Sequence, residues 1–97
     1  GGRDFSAEDL LPTRGETGII YKSLTSKPAT AERIKYLYVN TIGFAKTTVA
    51  LITLCELGLI EPNAEGVYSA VSTAKKTELK NSPVYKKLLE RSEKNDG

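Results

Sequence analysis

The chain has 97 residues, of which 39% are hydrophobic and 27% charged, with a formal net charge of +2. A chain of that length holds one core, and its composition is that of a globular domain rather than a disordered or fibrous segment. Histidine is absent and cysteine occurs once, which removes Ser-His-Asp and Cys-His catalysis, imidazole proton shuttling, His-containing zinc sites and any intrachain disulfide.

Acidic residues are spread thinly, so no carboxylate magnesium site is expected, and the sequence predicts neither catalytic residues nor a cofactor. The longest apolar run, Val49 to Ile60, is broken by Thr53 and Glu56 and falls short of the roughly 18 to 20 residues that span a bilayer. It reads as a core helix, with no membrane partner. The first residues show no basic segment followed by an apolar stretch, so no secretory signal is read and the cytoplasm is the expected compartment. Cys55 lies inside the apolar run and is expected to be buried and chemically quiet.

In chain order, residues 1–11 read as a flexible lead-in, 12–92 as the folded unit and 93–97 as a frayed tail. Thr13 and Glu16 have capping-box spacing and start a helix in which Ile20 and Leu24 share a face, ending before Pro28. Thr30 caps a second helix, with Ile34, Leu37 and Tyr38 at i, i+3 and i+4, and Asn40 to Gly43 form a turn. Phe44 to Gly58 is the strongest helical pattern. Val49, Ile52, Cys55 and Leu59 repeat along it, Leu51 and Leu54 widen the stripe, and Gly58 supplies a left-handed terminus. Leu59 to Glu61 and Val67 to Ser72 flank the turn residues Pro62 to Gly66 and predict a β-hairpin. Ser82 and Pro83 then open a last helix carrying Tyr85, Leu88 and Leu89.

Two helices joined by a short turn and followed directly by a hairpin are the pattern of a winged helix-turn-helix. The fold class expected is therefore α+β, mostly helical: a winged helix with an added C-terminal helix, forming one module of a larger protein.

The charge is unevenly placed. Residues 66 to 97 hold seven Lys or Arg against four Asp or Glu, whereas residues 1 to 65 hold seven against eight. Lys75, Lys76, Lys80, Lys86 and Lys87 concentrate the surplus and are the candidate phosphate contacts, alongside the alternative of an ordinary solvated lysine face. On the helix after the turn, Lys46, Thr47, Ala50 and Thr53 are the expected outward positions. Lys46 and Thr47 are its candidate nucleic-acid contacts, but that face carries no Arg, Asn or Gln for a bidentate base contact, so sequence-specific duplex reading is not expected. At most two of the five tyrosines are expected on the surface as stacking platforms.

Three segments, Leu11-Pro12-Thr13-Arg14, Leu54 to Ile60 and Lys75 to Tyr85, together resemble the extra C-terminal domain of RecJ single-strand-specific exonucleases of Firmicutes, over about Leu11 to Arg91. The most specific part is Lys76-Thr77-Glu78-Leu79 leading to Ser82-Pro83-Val84-Tyr85. The chain departs from that pattern at Gly15, which follows Arg14 where the family has an acidic residue, and at Gly18, which stands near the position of the family's aromatic. The resemblance implies an accessory domain of an enzyme that degrades single-stranded DNA from a 5′ end in repair and recombination. Its implied partners are single-stranded DNA, the parent's catalytic domains and single-strand-binding protein, with the metal-binding motifs elsewhere in the parent. Two other readings stand beside it: a free-standing winged-helix transcription regulator and a winged helix that binds only protein.

Overall fold

The computed structural model describes residues 7–75 and 77–94. The elements run α1 (Ala7–Leu10), α2 (Arg14–Ser26), β1 (Ala29–Thr30), α3 (Ala31–Leu37), α4 (Phe44–Glu56), β2 (Ile60–Pro62), β3 (Val67–Ala70), a 3-10 turn (Leu79–Asn81) and α5 (Pro83–Lys94). The chain is thus α+β and mostly helical, as expected, with one small antiparallel sheet in the order β1-β3-β2.

Local chemistry sets the element ends. The Thr13 hydroxyl accepts from the Glu16 N–H at 3.0 Å while the Glu16 carboxylate accepts from the Thr13 N–H at 2.8 Å, so the capping box that starts α2 is complete. Thr30 caps α3 by accepting from the Arg33 N–H at 3.2 Å. At the end of α4 the Leu59 N–H reaches the Leu54 carbonyl and the Gly58 N–H reaches that of Cys55, each at 3.0 Å. This pair of bonds needs a left-handed residue, and Gly58 has φ +75°. In the hairpin, the Asn63 side chain accepts from the Glu65 and Val67 N–H groups, and Gly66 at φ +80° returns the chain.

Two elements were absent from the sequence reading. β1 is two residues long and pairs Ala29 with Tyr68 and Thr30 with Val67, too short for any period to show. The expected flexible lead-in also needs correcting: residues 1–6 lie outside the described residues, but Ala7–Leu10 form a helical turn with Ala7 buried. At the other end, Glu93 and Lys94 continue α5 rather than fray, and 95–97 lie outside the described residues.

The core has two parts that meet on α4. Ile20 and Leu24 of α2, Ile34 of α3, Ala50, Leu51 and Leu54 of α4 and Ile60 of β2 form the larger one. Ala7, Val49 and Leu88 form the smaller, with Leu10, Leu11 and Val84 packed against it. Covered by α2 and α3 on one side and by α1 and α5 on another, α4 buries more of its circumference than one amphipathic stripe would. Thr47, Ala50 and Thr53, expected outward, are fully buried. Ile52, expected within the stripe, is 43% exposed, Cys55 is half-buried, and Leu37 of α3 is 47% exposed.

The hydroxyls of Thr47 and Thr53 are buried with no hydrogen-bond partner among the described residues, and an unpaired buried hydroxyl carries a cost that a methyl group of the same shape does not. Thr53→Val is therefore expected to raise unfolding stability by about 1 kcal/mol, and Thr13→Ala to lower it by about 1 kcal/mol through loss of the cap. Urea denaturation of the two variants checks both signs, and a destabilised Thr53→Val protein would contradict the first.

Candidate functional site

Helix α4 follows the turn, and its outward surface is what it can offer a ligand. The exposed residues of α4 are Phe44, Ile52 and Glu56, at i, i+8 and i+12, with Thr48 partly exposed between the first two and Phe44 58% exposed. The Thr48 hydroxyl donates to the Phe44 carbonyl at 3.0 Å, so it is already committed to its own helix. The Lys35 ammonium lies 5.1 Å from the Phe44 ring centroid, a cation–π distance.

Of the two α4 residues proposed as nucleic-acid contacts, Lys46 is partly buried and sits 4.0 Å from the Glu16 carboxylate. That carboxylate also completes the α2 capping box, so the lysine leans on a group with a structural duty. Thr47 is corrected outright: it is fully buried, because α4 packs on two sides, and its hydroxyl reaches no surface. This strip of α4 is apolar and hydroxylic rather than cationic.

The C-terminal lysines are dispersed among carboxylates. Lys75 is exposed just after β3, and Lys76 lies outside the described residues. The Lys80 ammonium is 3.6 Å from Glu78, with both side chains about two-thirds exposed, a pair worth ~0–1 kcal/mol at most. Lys80 and Lys86 line one groove together with Glu90 and Glu93. Lys86 and Lys87 line another with Glu56 and Glu90. The structure therefore brings Lys80, Lys86 and Lys87 into neighbouring grooves, but their field is alternating rather than single-signed. The spacing of Glu90 and Glu93 at i+4 and i+7 from Lys86 carried this signal in the sequence.

Glu56 is the residue whose role the sequence did not disclose. Its carboxylate accepts from the Ser82 hydroxyl at 2.5 Å and from the Val84 N–H at 2.9 Å, while the Ser82 oxygen accepts from the Tyr85 N–H at 3.3 Å. A carboxylate at the C-terminal end of α4 opposes that helix's dipole, but at the N-terminus of α5 it meets unpaired N–H groups and a favourable field. Ser82 is fully buried by the joint. The expected cap at Ser82 is present, and Glu56 ties it to α4.

Of the tyrosines, Tyr36 is 72% exposed, whereas Tyr21, Tyr38, Tyr68 and Tyr85 are half-buried, which agrees with at most two on the surface. Burial pushes the hydroxyls of Tyr68 and Tyr85 above their ordinary range. The Cys55 thiol is pushed up chiefly by burial and then by the neighbouring Glu56 charge, with the Tyr68 hydroxyl acting in the opposite direction. Among the described residues no group of three or more Cys, Asp or Glu is placed to hold a metal ion, and no helix is long and apolar enough to cross a membrane.

Only the thiolate reacts with disulfide reagents, so Cys55 is expected to be labelled at pH 7.5 severalfold more slowly in the folded chain than in urea. Equal rates would contradict this. Because these three groups hold their protons more tightly when folded, their contribution to stability is complete below about pH 8 and is lost as pH rises above about 9 for the thiol and above about 10 for the two phenols. Denaturation midpoints across that range should fall.

No protein-family model, curated protein or solved structure matches the chain.

Proposed function

We propose that the chain is a winged-helix module acting by docking, the accessory domain of a single-strand-specific DNA exonuclease whose catalytic residues lie in other domains. Support for the winged helix comes from the path of the chain: a helix, a short strand, two helices across a turn, and a hairpin whose second strand lies between the other two in the sheet. The exonuclease assignment rests on the residues from Leu11 to Arg91 that resemble the RecJ C-terminal domain.

One observation carries the docking role. The helix that would enter a DNA groove is enclosed by α1 and α5 as well as by α2 and α3, and what it leaves outward is Phe44, Ile52 and the partly exposed Thr48, with Glu56 at its end already bonded to Ser82 and Val84. Duplex reading needs hydrogen-bonding side chains on that face, and a free-standing regulator needs the same. An apolar strip suits a protein surface, whether of the parent's catalytic domains or of single-strand-binding protein. Holding single-stranded DNA remains the second reading, favoured by Lys80 and Lys86 lining one groove.

A salt titration with a 20-nucleotide oligo-dT separates the two. Docking predicts weak binding that Lys80→Gln and Lys86→Gln together leave unchanged. Phosphate tracking predicts that each contacting lysine contributes about 0.7 to the slope of log affinity against log salt, so the double variant should flatten it by roughly 1.4.

A further inference from the structure

Away from α4 and the C-terminal lysines, the end of α2, β1, α3 and β3 enclose a cleft of about 390 Å³, within the ~300–1,000 Å³ of sites that hold a small ligand or a few side chains. Pro28, Ile34 and Val67 give it apolar walls, and the half-exposed Leu37 stands at it. Lys27 and Arg33 line it as well. Both are exposed, and neither is ion-paired among the described residues. No Asp or Glu lines the cleft, in contrast to the two α5 grooves, whose linings include both lysines and glutamates.

We infer that this cleft is a docking site for a short acidic segment of a partner protein, one that combines carboxylates with an aliphatic or aromatic anchor. The inference rests on the docking role proposed above and names the chemistry of the partner. Uncompensated cations flanking an apolar pocket complement a peptide whose apolar side chain enters while its carboxylates meet Lys27 and the planar guanidinium of Arg33. A nucleic-acid strand fits less well. It brings a phosphate at every nucleotide and gains from aromatic stacking platforms, whereas the cleft offers two cations and no aromatic side chain.

The probe is a fluorescein-labelled hexapeptide, Glu-Glu-Leu-Asp-Leu-Glu, titrated into the full chain by anisotropy, with amide chemical-shift mapping of the complex. Saturable binding is expected, with shifts centred on residues 27–37 and Val67. Arg33→Glu and Lys27→Glu, both at exposed positions, should each weaken it about tenfold or more, as should replacing the peptide's acids with amides. No binding, equal binding by wild type and Arg33→Glu, or shifts centred on α5 would overturn the cleft assignment and leave the docking role standing. Tight oligo-dT binding with shifts at Lys80 and Lys86, and none from the peptide, would overturn the docking role itself.

Discussion

The joint between the end of α4 and the start of α5 organises the molecule. One carboxylate oxygen of Glu56 takes two hydrogen bonds from the first turn of α5, and Ser82 is buried beneath it. A chain this small gains little from a single core, and fastening α5 there lets Leu88 and Val84 close over Val49 together with Ala7 of α1. The second core patch follows from that closure.

The same joint shapes the electrostatics. Glu56 lines the groove that holds Lys86 and Lys87, and Glu90 stands in both α5 grooves. Lysines crowded in sequence are thus interleaved with acids in space, and exposed pairs of this kind hold little energy and are screened by salt. Lys27 and Arg33 instead line an apolar cleft whose lining includes no acid. A net charge of +2 hides this difference, because the grooves richer in lysine are also the ones lined by glutamates.

Features governed by neighbours in sequence could be read before the fold was known. The Thr13 and Glu16 capping box, the left-handed Gly58, the Asn63 to Gly66 turn and the Ser82-Pro83 helix start each depend on residues within four positions of one another. Which face of a helix is buried depends on elements far along the chain. Thr47 and Thr53 are inside, and Ile52 outside, on a helix that packs against α2 and α3 and also against α1 and α5, the last two more than 25 residues away, as the Glu56 to Ser82 bond illustrates. Short elements leave no period to detect, and β1 and α1 went unread for that reason. Of the candidate contacts, Lys80, Lys86 and Lys87 do come together, Thr47 is excluded by burial, and the Lys27 and Arg33 cleft carried no signal in sequence because its walls come from α2, β1, α3 and β3 at once.

The central claim is that α5 is an integral cover of α4 rather than an appendage beside an open helix. Native-state hydrogen exchange on the wild type and on Glu56→Ala tests it most directly. The account predicts that amides of α4 and α5 exchange through one cooperative opening, and that Glu56→Ala lowers protection in both helices by the same amount, about 1–3 kcal/mol. If α5 exchanged at the rate of a free helix in the wild type while α4 stayed protected, or if Glu56→Ala altered α5 alone, α4 would have to be regarded as an open surface.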